Sequence, residues 1–274
     1  MRQAIEKIIS NSSQIKSNEG DYLQGGLLYC GKCNTPKQVR INVFGTERTP
    51  MCLCKCEIER RKAEEDAERR AAFKERVRKL RQMGFPDSEM EHWTFDKDDH
   101  CNEQISSVAK RYVDNFGLMK AKGKGLLLFG QVGTGKTFIS ACIANALIEQ
   151  GHPCLVTNFA RLVNMISGQG GQDYIDNLNK FDLIVIDDLA SERDTEYMGE
   201  IVQSIIDARY RSGLPLIITT NLTAIELKHP ADIRKQRIYS RLFEMCIPVE
   251  VKGGDRRIGK LKTDYQELKD ILGL

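Results

Sequence analysis

The sequence predicts an α/β protein, a parallel sheet flanked by helices, preceded by a small cysteine-rich module. Three observations predict it. Gly130, Gly133, Gly135, Lys136 and Thr137 fit the phosphate-loop pattern G-x-x-x-x-G-K-[ST], directly after the apolar run Leu126–Phe129. Roughly fifty residues later a second apolar run, Leu183–Ile186, closes on Asp187-Asp188. From Asp87 onward, short apolar runs alternate with helical patterns, as they do when strands are buried on both faces by crossover helices.

Composition narrows the class. A chain of 274 residues has room for one large domain, or for a medium domain plus a small one. Its formal charge of +3 is too small to make a nucleic-acid binder by net charge, while leaving room for a local basic groove. No apolar run reaches membrane-spanning length, and MRQAIEKIIS lacks the apolar core of a signal peptide. The expectation is a cytoplasmic protein with no membrane partner. Nine cysteines in that setting argue for metal binding or burial rather than disulfides, and five of them fall between Cys30 and Cys56.

Residues 1–26 start with a short helical pattern (Ile5, Ile8, Ile9) and pass through a polar stretch to Gly25-Gly26. Cys30-x-x-Cys33 is then a metal-binding knuckle, followed by Cys52, Cys54 and Cys56. Between the clusters Val39, Ile41 and Val43 alternate with polar residues, and Gly45-Thr46 supplies a turn. This suits a zinc ribbon over about 27–56 within a module of residues 1–56, with four thiolates around one Zn²⁺. Cys30 and Cys33 would be joined by two of Cys52, Cys54 and Cys56, with Cys54 and Cys56 favoured. So short a segment cannot bury much core, so metal would supply stability.

Residues 57–84 read as a charged linker helix, Glu57 to Met83, ended by Gly84-Phe85-Pro86. Phe73, Val77 and Leu80 form a narrow apolar stripe on it. Residues 85–274 form the α/β domain. Ile105–Phe116 is an amphipathic helix, and Leu126–Phe129 is the strand before the phosphate loop. Thr137–Glu149 is the helix after the loop, stopped by Gly151. Cys154–Thr157, Leu183–Ile186, Leu216–Thr220 and Ile247–Val251 are further strands, with a helix at Ile201–Tyr210. Ligands gather at the carboxyl ends of such strands, where Gly130, Asp187 and Asn221 fall.

The chemistry follows from residue types. Glycines let the loop turn its N–H groups towards phosphate oxygens, and the helix N-terminus adds a positive field. Lys136 reaches the β- and γ-phosphates, and the Thr137 hydroxyl binds Mg²⁺. Val132, Thr134 and Phe138, in and just after the loop, complete the expected nucleotide contacts. Asp187 at a strand end organises Mg²⁺ or its waters, and Asp188 orients or deprotonates the attacking water. Asn221 can hydrogen-bond that water or the γ-phosphate. Arg237 and Arg241 share a helix face, placed to complete a neighbouring subunit's site. Arg209, Tyr210 and Arg211 offer a basic-aromatic patch for single-stranded DNA. The expected cofactors are ATP or ADP, Mg²⁺ and Zn²⁺.

Together GLLLFGQVGTGKT, LIVIDDLASERDTEY, IIDARYRSGLPLIITTNL, RIYSRLFEMC and GGDRRIGK resemble the AAA+ ATPases that load replicative helicases, the DnaC/DnaI type, most closely phage and prophage forms. The likeness covers residues 85–262. It implies an AAA+ domain with a five-stranded parallel sheet, and it makes Asn221 sensor 1 and Arg241 the arginine finger, with Arg237 beside it. Arg257 takes a sensor 2-like place. Asp188 stands where many AAA+ proteins carry Glu, a shorter reach that implies slow hydrolysis. The implied partners are a hexameric helicase, gripped by the N-terminal module, and single-stranded DNA, with self-association of the ATP-bound domain. About twenty residues follow the fifth strand, too few for a helical lid domain. That fits the loaders and equally their IstB-type transposition-helper relatives. A DnaA-type initiator would need a duplex-reading C-terminal domain. A non-hydrolysing nucleotide switch is compatible with every motif.

Overall fold

The structure, a computed structural model, describes residues 17–85, 89–166, 171–189, 196–230, 232–256, 268–269 and 271–272. The Ile5–Ile9 pattern, Pro86 and Arg257 lie outside these residues. The chain divides into two compact units, residues 1–74 and 75–274.

The first unit holds two antiparallel hairpins, β1 (Tyr22–Gln24) with β2 (Leu27–Tyr29) and β3 (Ile41–Val43) with β4 (Thr46–Arg48). Phe44 and Gly45 turn the second hairpin with φ of 53° and 81°, one residue ahead of the expected turn. Positive φ at both positions matches the right-handed twist of the strands. The β1–β2 hairpin lies mostly ahead of the expected ribbon. Among the described residues of this unit only Cys30, Lys37 and Cys54 are buried. Lys37 pairs with Asp21 at 2.6 Å. Among the described residues, no apolar core of ordinary size holds these hairpins together.

Helix α1 (Lys55–Gly84) crosses the boundary between the units. It is rich in strong helix formers and carries ion pairs one turn apart, such as Glu57 with Arg60 and Arg61 and Glu75 with Arg78. Each such pair contributes a few tenths of a kcal/mol. From Glu75 onward it belongs to the larger unit, where Val77 is buried in the core and Leu80 packs against it. Phe73, on the stripe named from sequence, is 45% exposed.

In the larger unit two single 3₁₀ turns, Met90–His92 and Phe95–Lys97, precede α2 (Glu103–Asp114) and α3 (Phe116–Ala121). Asn102 caps α2 by accepting the N–H of Ile105. Then come β5 (Gly125–Phe129), α4 (Lys136–Glu149), β6 (Cys154–Asn158), α5 (Phe159–Ile166), α6 (Gly171–Leu178) and β7 (Leu183–Leu189). The chain continues through α7 (Glu196–Ser212), β8 (Leu216–Thr220), α8 (Ala224–Lys228), α9 (Ile233–Met245) and β9 (Cys246–Glu250).

Five parallel strands form one sheet in the order β6-β7-β8-β5-β9. Its inner strands read as unbroken apolar runs because helices cover both faces: Leu127, Leu128, Val185, Ile186, Ile217 and Ile218 are all inaccessible. Two core clusters result. One packs α2 and α4 on one face; the other packs α5, α7 and α9 on the opposite face. Helix α4 is buried nearly all round, so its apolar residues form no stripe. It stops where expected, with Gly151 at φ 88°.

Candidate functional site

The strand order places the carboxyl ends of β5, β7 and β8 side by side, and a cavity of about 730 Å³ opens there. Val132, Gly133, Gly135, Lys136, Thr137, Phe138, Asp187, Asp188 and Asn221, all named from sequence, line it. The loop takes its shape from Gly130, Gly133 and Gly135, with φ of 137°, 78° and 93°, where a side chain would be strained. A Cβ on Gly135 would come within 3.1 Å of Arg256. Thr134 does not line the cavity. It is 1% exposed and donates to the Gln131 carbonyl at 2.9 Å, so it braces the loop.

Lys136 Nζ lies 2.9 Å and 2.7 Å from the carbonyls of Gly130 and Gln131. The Thr137 hydroxyl donates to the Asp187 carboxylate at 2.9 and 3.1 Å. Hydroxyl and carboxylate adjacent on two rigid elements are the donor set a hard, oxygen-seeking cation takes, so these residues fit Mg²⁺. Burial raises the pKa of Asp187, against the hydrogen bonds from Thr219 and Thr137 that stabilise its charged form. Asp188 has φ 62°, and Asn221 Nδ2 donates to its Oδ1 at 3.0 Å.

The cavity has a wall that no sequence motif pointed to. Asn145 on α4 donates to the carbonyls of Met90 and Trp93 at 3.0 and 2.9 Å, tying the 3₁₀ segment to the helix. This sets Trp93 beside Phe138, with ring centroids 5.8 Å apart, and brings His92 and Lys97 to the rim. The opposite contribution comes from the segment after β9. Arg256 donates its N–H to the Gly133 carbonyl at 3.1 Å and its guanidinium to Asp99 at 2.8 Å. Arg256 lines the cavity. It precedes in sequence Arg257, the residue the resemblance singled out, which lies outside the described residues. Thr219 also lines the site.

Arg237 and Arg241 lie elsewhere. On α9 they line a second cavity of about 450 Å³ with Tyr210, Gln236, Ser240 and Glu244, and they do not reach the nucleotide cavity of their own chain. Arg241 is hydrogen-bonded to Asp207. Of the basic-aromatic patch, Tyr210 and Arg211 are exposed, but Arg209 is withdrawn from it. Arg209 is 2% exposed, and its guanidinium donates to the carbonyls of Pro215 at 2.9 Å and Asp182 at 3.1 Å. An arginine can satisfy several orphan carbonyls at once, and spacing on a helix cannot reveal that use. Tyr210 donates to Glu244 at 2.7 Å.

In the smaller unit, Cys30, Cys33, Cys54 and Cys56 bring their four sulfurs within 4.8 Å of one another. Cys30 and Cys56 are 3.6 Å apart, and Cys54 and Cys56 are 3.4 Å apart. Tetrahedral Zn–S bonds of about 2.3 Å place sulfurs about 3.8 Å apart, so the set fits zinc. Cys52 stands aside, its thiol near the Pro36 carbonyl. The N–H groups of Cys33 and Lys32 lower the pKa of Cys30, and the Thr35 hydroxyl lowers that of Cys33 to about 5. The neighbouring sulfurs of Cys54, Cys33 and Cys30 push Cys56 up to about 12. Four thiolates this close repel one another, and a divalent cation removes that obstacle.

No helix among the described residues is long and apolar enough to cross a membrane. The replicative helicase loader DnaI of Bacillus subtilis (strain 168) is 28% identical over 169 residues, which is 57% of this chain and 53% of that protein. The replicative helicase loader DnaC of Escherichia coli (strain K12) is 27% identical over 135 residues, 46% of this chain and 54% of its own. The chain therefore spans about half the length of these curated relatives. The crystal structure of DnaI superposes with a TM-score of 0.53 at 24% identity, over 65% of this chain and 98% of that one, a likeness of fold. The IstB-like ATP binding protein family matches residues 55–263, and the chain belongs to that family.

Proposed function

We propose that this chain is an ATP-dependent loader that binds a replicative DNA helicase and delivers it onto single-stranded DNA. ATP binding and slow hydrolysis would switch it between assembly states in the cytoplasm. The observation that carries the ATPase part is the convergence of Lys136, Thr137, Asp187, Asp188 and Asn221 on one cavity at the strand ends. Likeness to DnaI and DnaC supports the loader part.

Lys136 and the N–H groups of the loop hold the phosphates, while Trp93 and Phe138 offer apolar rings at the rim. Thr137 and Asp187 would hold Mg²⁺, which when bound would neutralise phosphate charge. The Asp188 carboxylate, its Oδ1 held by Asn221, orients the attacking water and takes its proton. The zinc module would grip the helicase, and Arg241, with Arg237, would act on the site of an adjacent copy.

The test is a transfer assay with purified replicative hexameric helicase, circular single-stranded DNA and ATP. Helicase should become DNA-bound only with both loader and ATP present. No ATP-dependent transfer overturns the reading. The second reading, a transposition helper, is favoured by the IstB-like family itself. Retention of a transposase in place of the helicase in parallel pull-downs would select it.

A further inference from the structure

The ladder between β7 and β8 carries one irregularity, and it falls on the aspartates. Ile186 pairs with Ile218 and Leu189 with Thr220, so Asp187 and Asp188 together stand opposite the single residue Thr219. In a regular strand, adjacent side chains face opposite sides of the sheet. The extra residue and the left-handed backbone at Asp188 undo that alternation, and both carboxylates line the same cavity. A left-handed aspartate is uncommon and needs surroundings that hold it.

One hydroxyl sits at the joint. Thr219 is 2% exposed; its Oγ1 donates to Asp187 Oδ1 at 2.5 Å and accepts the Asp188 N–H at 2.9 Å. A hydroxyl has a single hydrogen, so one end of the group is committed to the carboxylate and the other to the amide. Asp187 is also held by Thr137 from the helix side, and Asp188 by Asn221 from beyond β8. Thr219 touches both aspartates.

We propose that Thr219 is a positioning residue for ATP turnover: its hydroxyl pins the bulge and so sets the spacing between the carboxylates of Asp187 and Asp188. This rests on the roles assigned above to those two residues. Thr220 provides an internal comparison. It is equally buried and donates to the Leu189 carbonyl at 2.8 Å, but its bond reaches neither carboxylate.

Thr219→Val keeps the shape and removes both hydrogen bonds. Its kcat should fall roughly tenfold or more, with ATP affinity within about threefold of the parent. Thr219→Ser, which keeps the hydroxyl, should stay within about threefold in kcat. Thr220→Val should lose thermal stability to a similar extent and keep its turnover. Two readouts need no turnover. Amide exchange at Asp188 should accelerate in Thr219→Val and remain slow in Thr219→Ser, and Mg²⁺ should enhance ATP affinity less in the valine variant. Thr219→Ala enters the same comparison if the valine variant does not fold. A valine variant with parental kcat overturns the proposal. So does a serine variant as slow as valine, or a Thr220→Val as slow as Thr219→Val. If the parent protein hydrolyses no ATP, the ATPase reading fails on its own. Unchanged Asp188 exchange and Mg²⁺ dependence in Thr219→Val then overturn the positioning role as well.

Discussion

Arg241 on α9 is tied to Asp207 on α7, so the proposed trans-acting arginine is anchored within its own chain by one guanidinium nitrogen. Both side chains are partly accessible, at 34% and 19%. An anchored arginine at the surface loses little entropy when it meets a phosphate of a neighbouring copy.

Arg241→Ala should leave ATP affinity of the isolated chain within about threefold, because the residue is remote from its own nucleotide cavity. ATP-dependent assembly and DNA-stimulated hydrolysis should be lost. Asp207→Asn loses the same ion pair but keeps the guanidinium, and it should retain assembly. Mixing Arg241→Ala with Lys136→Ala should recover part of the activity, since mixed pairs contain some intact composite sites. A mixture as inactive as either variant alone removes the trans role.

Lys136→Ala should cost ATP affinity, because it removes the cation placed for the β- and γ-phosphates. Asp187→Asn should preserve much of the binding and damage Mg²⁺-dependent turnover. Calorimetry on both variants separates the effects, and parental affinity in Lys136→Ala would contradict the site.

The thiol cluster should carry about one zinc per chain. With so little buried in residues 17–74, removal of metal by a chelator should loosen the hairpins, while the sheet of the larger unit, with its own core, stays folded. Cys30→Ser should release the metal. Cys52→Ser should not, because Cys52 lies outside the four-sulfur cluster. Metal analysis of reduced protein, with circular dichroism on both variants, checks this.

Asp182 gives a pH-dependent contribution. Burial raises its pKa, but hydrogen bonds from Lys120 and His152 outweigh it and leave the group below the ordinary carboxylate range. A depressed folded-state pKa adds stability above the unfolded value and loses it as pH falls through the folded one. Asp182→Asn should therefore cost about 1 kcal/mol or less near neutrality, and the difference should vanish on acidification below the carboxylate range. Paired thermal melts at neutral and acid pH measure it, and a constant difference would refute the linkage.

The fold was legible because its signals are local. Buried parallel strands must be apolar along their whole length, so β5, β6, β7 and β8 stood out as runs, and glycine with lysine and threonine marked the loop by spacing. Asp187, Asp188 and Asn221 were readable as strand-end residues for the same reason. The five clustered cysteines were readable as donors, and Cys54 with Cys56 was the favoured pair beside Cys30 and Cys33. The folded path of the chain puts those four together while leaving Cys52 aside.

Local pattern alone therefore determined the elements, the phosphate loop and the metal-binding residue types, because each depends on neighbours within one or two turns of chain. Tertiary structure decided everything that joins distant segments. It brought Trp93 to Phe138 through Asn145, Arg256 to Gly133, and Thr219 to the bulge at Asp187-Asp188. It also buried Arg209 among backbone carbonyls that a helix-surface reading would leave in solvent. These contacts depend on strand order and on a one-residue slip between β7 and β8, and a sequence of apolar runs carries no record of which run lies beside which.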